Sequence, residues 1–164
     1  MKPRLSYAKA APGVYEAMDA LERYLKDCGL DQRLLLLVQL RASQINGCAY
    51  CLDMHWKDLM AVGEKEQRLY SLAAWRECPY YTDRERAALE WTEAVTLVAR
   101  DHVPDPVYEA ARRQLGEKEL CDLTLAVAAI NAWNRLSIAA RTVPGAYQPA
   151  LPALPANTAA AAAT

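Results

Sequence analysis

The stretch LLLLVQLRASQINGCAYCLDMHWKD, Leu34 to Asp58, joins a thoroughly apolar run to a compact group of sulfur-bearing and titratable residues. Asp31 precedes it, and the leucines then recur around the whole circumference of a helical wheel, which predicts a helix buried on most sides. Asn46 and Gly47 both tolerate the left-handed conformation of a C-terminal cap, so that helix is expected to end there. Cys48 therefore falls at or near the start of a second helix, which runs to Val62 and closes at Gly63. On a helix advancing about 100° per residue, steps of three and four straddle a full turn, so Cys48, Cys51 and His55 share one face and their side chains can meet.

Outward from this pair the pattern stays helical. In VYEAMDALERYL, Val14, Ala17, Met18, Leu21 and Leu25 mark one face of an amphipathic helix that stops near Cys28-Gly29. Glu64 to Trp75 carries Leu69, Leu72 and Ala73 on one stripe, predicting a short helix before the break at Cys78-Pro79. Thr82 with Glu85 three residues later is a capping-box signature, opening a helix through Ala87, Leu89, Trp91, Ala94, Val95 and Val98. Asp105-Pro106 reads as N-cap and first residue of a further segment stopped by Gly116, and Glu117 to Thr142 is a last long helix ended by Pro144-Gly145. No segment alternates apolar and polar residues with the turn signals of strands, so the expected fold class is all-α, with about six to seven helices and the CxxCxxxH motif opening a central one. Residues 1–148 are expected to form a single domain. Residues 149–164, PALPALPANTAAAAAT, carry no charge and little to bury, and are expected to form a mobile tail.

A chain of 164 residues with 53% apolar composition can bury a real core but leaves no length for a second domain. Nineteen basic against twenty acidic residues give a net charge of −1, which steers the chain neither to nucleic acid nor to an acidic membrane. The N-terminal MKPRLSYAKAAPGVYEAM has no apolar run of signal-peptide length, and no membrane-spanning segment is evident, so the cytosol is the expected compartment. Five cysteines, an odd number at irregular spacing, do not make the disulfide framework of a secreted domain. Cys28, Cys78 and Cys121 read as small buried hydrophobes.

The CxxC is different, since in a reducing compartment such a pair is redox-active or metal-binding. A helix N-terminus or a neighbouring histidine lowers a thiol pKa from about 8.5 into the range of roughly 3.5 to 7.5. Cys48 has the first device and Cys51 the second, through His55 one turn on. Peroxide oxidises one thiol to a sulfenic acid, and the other condenses with it to a disulfide. Zinc would need a fourth ligand from Cys78, His102 or an acidic residue, and none stands in a paired spacing. Covalent haem attachment is excluded because Leu52, not histidine, follows Cys51.

The run LRASQINGCAYCLDMHWKD, followed by GEKEQRLYSLAAWRE, TDRERAALEWTEAVTLV and INAWNRLSIAARTVPG, resembles the AhpD-like alkylhydroperoxidase group of the carboxymuconolactone decarboxylase superfamily, over about Tyr15 to Gln148. That resemblance implies an AhpD-like helical fold, trimers or hexamers, and a CxxCxxxH centre that reduces hydroperoxides, with a lipoyl-bearing or thioredoxin-like protein as reductant; the leading expectation is a hydroperoxide reductase with no metal or organic cofactor. It also implies roles: Cys51 as the peroxidatic cysteine, Cys48 as its resolving partner and His55 in the proton relay. Electrostatics alone leaves the order open, because the helix terminus favours Cys48 and the histidine favours Cys51. Two positions depart from the family pattern. Leu36 stands twelve residues before Cys48, where the best-described members have a glutamate, and Tyr50 stands where they have a histidine. Leucine cannot accept a proton. Glu93, in the apolar setting EWTEAVTLV, is the substitute acid, and Tyr50 can donate a phenolic hydrogen bond to a reacting oxygen.

Ser43 and Gln44 are candidates to line the site. Asn131, Asn134 and Arg135, in NAWNR, read as a polar clamp between helices or subunits, because buried amides must find partners. His102 reads as a solvated loop residue. Two competing functions share the cysteine pair: a general thiol-disulfide oxidoreductase acting on proteins, and a non-catalytic helical oligomer that senses oxidation or holds a metal.

Overall fold

The computed structural model describes residues 2–150; Met1 and residues 151–164, which include all but two residues of the expected tail, lie outside the described residues. In chain order the helices are α1 (Tyr7–Ala10), α2 (Pro12–Asp27), α3 (Gln32–Asn46), α4 (Ala49–Ala61), α5 (Glu66–Tyr70), a 3-10 segment (Leu72–Glu77), α6 (Asp83–Thr96), α7 (Val98–Asp101) and α8 (Asp105–Ala140). The fold is all-helical, with no strand among the described residues.

The all-round leucine pattern of α3 has the meaning its sequence predicts: α3 packs between α4, α6 and α8. Leu36, Leu37 and Leu40 share a cluster with Leu59 of α4 and its C-cap Val62, Leu72 and Trp75 of the 3-10 segment, and Leu89 of α6. The other side of α3, Leu34 and Val38, meets Ala88 and Trp91 of α6 and Leu115, Leu120 and Leu123 of α8. Each fully buried leucine contributes about 1.5–3 kcal/mol by leaving water, and α3 contributes such residues to both clusters.

The caps define the ends. The Asp31 carboxylate accepts the Leu34 amide at 2.8 Å and starts α3. At its far end Gly47 is left-handed (φ 67°), its amide donates to Gln44 O at 3.3 Å, and the Cys48 amide donates to Ser43 O at 3.1 Å. This paired arrangement is a Schellman turn. Cys48 is then also the N-cap of α4, its Sγ accepting the Cys51 amide at 3.4 Å. Thr82 and Glu85 make the expected capping box at the start of α6.

Two of the expected helices are divided. The helix expected over Glu64 to Trp75 is divided into α5 and the 3-10 segment, with Ala74 non-helical (φ −112°, ψ 27°). Here the Tyr81 hydroxyl donates to Arg68 O and the Ser71 hydroxyl to Gln67 O, taking carbonyls that a continuing helix would use. The helix expected to run through Val98 is likewise divided at Leu97 (φ −101°, ψ 22°). The helical segment before Gly116 does stop there as expected, because the Gly116 backbone is non-helical and its bend separates the two stretches of α8; only its N-cap differs, being Pro104 rather than Asp105.

At that bend Gly116 adopts φ 75°, ψ 177°, a conformation open essentially to glycine alone. Apart from its chain neighbours and the adjoining helix backbone, no atom lies within 4 Å of the position a Cβ would take, so the restriction is one of backbone and not of space. Gly116→Ala is therefore expected to destabilise the fold by about 1–3 kcal/mol in urea denaturation. Stability equal to the parent's would show that the bend does not depend on this backbone conformation.

Candidate functional site

The turn between α3 and α4 is held from outside by amides. Asn46 Nδ2 donates to Asn131 Oδ1 at 3.0 Å and to Asn134 Oδ1 at 2.8 Å, and Asn134 Nδ2 donates to the Ser43 hydroxyl at 3.0 Å. Asn131 Nδ2 reaches Thr96 Oγ1 on α6 at 3.1 Å, and Arg135 Nη1 donates to Asn131 Oδ1 at 2.9 Å. The asparagines expected to clamp helices thus join α3, α6 and α8 around the residues that precede Cys48. Ser43, which also donates to Gln39 O at 2.8 Å, belongs to this framework, whereas Gln44 accepts from Arg41 at 3.1 Å.

Cys48 and Cys51 are joined as a disulfide, with Cα atoms 5.4 Å apart, and each is only 1% exposed. His55 lies one turn beyond Cys51 and is 4% exposed. Neither of its ring nitrogens has a hydrogen-bond partner, and burial pushes its pKa down from 6.5 to about 4. The imidazole is neutral at pH 7. Nδ1 lies 4.0 Å from Oδ2 of Asp58, which is itself buried. Burial raises the Asp58 carboxyl, and a hydrogen bond to Oδ1 from the Tyr147 hydroxyl at 2.7 Å opposes that rise.

Tyr147 belongs to the segment after α8, which lies along α4. Gly145 N donates to Asp53 Oδ2 at 3.0 Å, and Lys57 Nζ donates to Gly145 O at 3.0 Å, Tyr147 O at 3.1 Å and Asp53 Oδ2 at 2.9 Å. Tyr50 is partly buried on α4; burial is the main cause raising its phenol pKa, followed by Tyr15, Asp53 and Asp58, so it remains protonated. Asp58 and Tyr147 are the residues sequence reasoning leaves out. Asp58 had a visible signal, three residues after His55 on the same helix, whereas nothing local announces Tyr147.

Glu93 occupies a different setting. It accepts from Arg41 Nε at 2.8 Å, Trp75 Nε1 at 2.8 Å and Arg76 Nη1 at 2.6 Å. Burial pushes its carboxyl up, but the hydrogen bonds from Trp75, Arg76 and Arg41 together outweigh burial and hold it below the usual range. These bonds run to α3 and the 3-10 segment, not to the cysteines or His55. Leu36 is buried in the core with Leu37 and Leu59. His102 is exposed at the end of α7. Cys28 and Cys78 are partly buried, while Cys121, expected inside, is exposed on α8 between the inward-facing Leu120 and Asp122. Among the described residues, no cluster of three or more His, Cys, Asp or Glu side chains is arranged to hold a metal ion, and no helix is long and apolar enough to cross a membrane.

Residues 12–94 match the model of the carboxymuconolactone decarboxylase family. The chain is 43% identical over 139 residues to the uncharacterized protein YdfG of Bacillus subtilis (strain 168), covering 85% of this chain and 95% of that one. A crystal structure from Agrobacterium tumefaciens, ATU0492, of unknown function and provisionally named an antioxidant defence protein AhpD, is similar at 42% identity and a TM-score of 0.86. That likeness covers 89% of this chain and all of that one. The debrominase Bmp8, solved in complex with 2,3,4-tribromopyrrole, is similar at 17% identity and a TM-score of 0.75, covering 83% and 73% of the two chains; this likeness shows the fold alone.

The buried imidazole gives stability a defined pH dependence. The fold holds His55 neutral down to about pH 4, while in the unfolded chain it titrates near 6.5. The unfolded state binds the extra proton first as pH falls, so this contribution is complete above about pH 6.5 and is lost progressively toward pH 4. Between pH 7 and pH 5 the loss should be about 2 kcal/mol. Urea denaturation of the oxidised protein at the two pH values measures it against His55→Leu, in which Asp58 and the other carboxyls still titrate. The drop should be smaller in the variant by that amount; equal drops would refute a buried neutral His55.

Proposed function

Because the chain belongs to the carboxymuconolactone decarboxylase family and has its AhpD-like fold, we propose that it is a cysteine-dependent hydroperoxide reductase, cycling between a dithiol and the Cys48–Cys51 disulfide. The observation that carries the reading is the closed cysteine pair at the N-terminus of α4 with a neutral imidazole one turn away. A neutral imidazole is the form able to accept a thiol proton.

In the reduced state His55 takes the Cys51 proton, and the thiolate attacks the peroxide O–O bond. Cys51 becomes a sulfenic acid, and the departing alkoxide or hydroxide recovers the proton as alcohol or water. The Cys48 thiol then condenses with the sulfenic acid, releasing water and closing the disulfide. The order, with Cys51 attacking and Cys48 resolving, follows the family resemblance, since the N-cap position and the Cys51 amide by themselves favour a Cys48 thiolate. Tyr50, adjacent to Cys51 and held protonated, offers its hydroxyl to the departing oxygen. Glu93 serves the site by holding Arg41 and Trp75 in place and not as its acid, since three donors already occupy its carboxylate.

The disulfide returns to the dithiol by exchange with a thiol- or lipoyl-bearing protein, in a cytoplasmic setting and with no metal or organic cofactor. Assembly into a homo-oligomer, a trimer or hexamer, is part of the same reading. Its support is an unpartnered apolar surface, where Val14, Tyr15 and Ile138 are exposed beside a groove lined by Met18 and Leu136 of α2 and α8.

Reduced protein should consume one equivalent of hydroperoxide and form the Cys48–Cys51 disulfide, identified by peptide mapping. Cys51→Ser should abolish turnover. Cys48→Ser should react once and leave a sulfenic acid that a 1,3-dione reagent captures. Peroxide turnover by Cys51→Ser equal to the parent's would sink the assignment, and rapid turnover of insulin disulfides without peroxide consumption would favour a general thiol-disulfide oxidoreductase.

A further inference from the structure

Leu36 provides no acid, and Glu93 is committed elsewhere, so His55 needs another partner if it is to carry a proton. The candidates are the titratable groups around α4. Tyr50 and Asp53 lie on the helix itself, Tyr15 approaches from α2, and Tyr147 arrives with the C-terminal segment. Of these groups and Asp58, only Asp58 has a side chain within ion-pair distance of the imidazole, at 4.0 Å from Oδ2 to Nδ1.

The geometry points to Asp58 as the positioning residue of the thiol relay: anchored through Oδ1 by Tyr147, it turns Oδ2 to the Nδ1 side of His55, leaving Nε2 to receive the Cys51 proton. This rests on the reading of the cysteine pair as a proton-dependent thiol centre. The imidazole is buried and neither nitrogen has a partner, so its cation is costly without an anion beside it. Asp58 is the group placed to supply that anion. Lys57, its neighbour in sequence, does not neutralise it, because its ammonium is directed to Asp53 and to the carbonyls of Gly145 and Tyr147.

A closing movement of about 1 Å brings Oδ2 within hydrogen-bond distance of Nδ1. With Nδ1–H donating to Asp58, the lone pair of Nε2 is left as the base, the tautomer logic by which a carboxylate orients a catalytic histidine. No oxidant or reductant beyond those of the proposed cycle is required, since Asp58 keeps its own proton balance throughout. It compensates the imidazolium while the thiolate exists and is released when the departing oxygen takes the proton.

The test uses the full chain in the reduced state at pH 7. Long-range ¹H–¹⁵N correlation spectra report the tautomer of His55, with exposed His102 as an internal reference. The parent should show the Nδ1–H form. Asp58→Asn should shift His55 toward the Nε2–H form and slow alkylation of Cys51 by iodoacetamide by at least about tenfold, moving its pH profile to higher pH. Tyr147→Phe, which removes only a hydroxyl, should shift both readouts the same way but less, and it serves if Asp58→Asn does not fold. An Nε2–H tautomer in the parent, or unchanged tautomer and alkylation profile in the folded variants, would overturn the role of Asp58. Treating the reduced parent with one equivalent of peroxide separates the two ideas: failure to form the disulfide refutes the reductase reading, while the tautomer and alkylation results still judge Asp58.

Discussion

The bond from the Cys48 amide to the Ser43 carbonyl closes one helix and opens the next, and the arrangement of the cysteine site depends on it. Because it spans a left-handed Gly47, the chain reverses within a single residue. Cys48 is thereby delivered to the N-cap of α4 with its sulfur over the first turn. Cys51 and His55 then take their places by helical periodicity alone. A looser connection would leave the same residues in the same order but would let the sulfur of Cys48 wander from the turn that holds Cys51.

That turn is secured by contacts from far along the chain. Asn131 and Asn134 reach Asn46 and Ser43 across some ninety residues of sequence, and Thr96 ties the same cluster to α6. Buried amide networks of this kind are favourable only when every member is satisfied. Here α8 does more than complete the hydrophobic core. It supplies the donors and acceptors that make the α3–α4 junction rigid.

What could be read from the sequence follows from how local each cue is. The all-round leucines of α3, the Asn46-Gly47 stop, the Thr82–Glu85 capping box and the shared face of Cys48, Cys51 and His55 are properties of neighbouring residues, and the structure has them all. The split between α5 and the 3-10 segment depends on a tyrosine hydroxyl thirteen residues beyond Arg68, which no window over that helix contains. Glu93 illustrates the boundary well. Its apolar neighbours require a partner for a buried carboxylate, but that requirement does not choose among partners, and Arg41 and Trp75 come from other elements. Asp58 was within reach of helical spacing, whereas the contact that anchors it comes from Tyr147, eighty-nine residues on.

The depth of the disulfide has a consequence for kinetics. Exchange requires an incoming thiolate to approach one sulfur with the other as leaving group, and both sulfurs here are covered by the fold. A small oxidant needs only a transient gap between side chains, but another protein's thiol needs backbone to move aside. If the proposed cycle operates, re-reduction by a protein would be scaled by the equilibrium constant of a local opening, and oxidation and recovery would run on different clocks set by the size of the molecule that must enter.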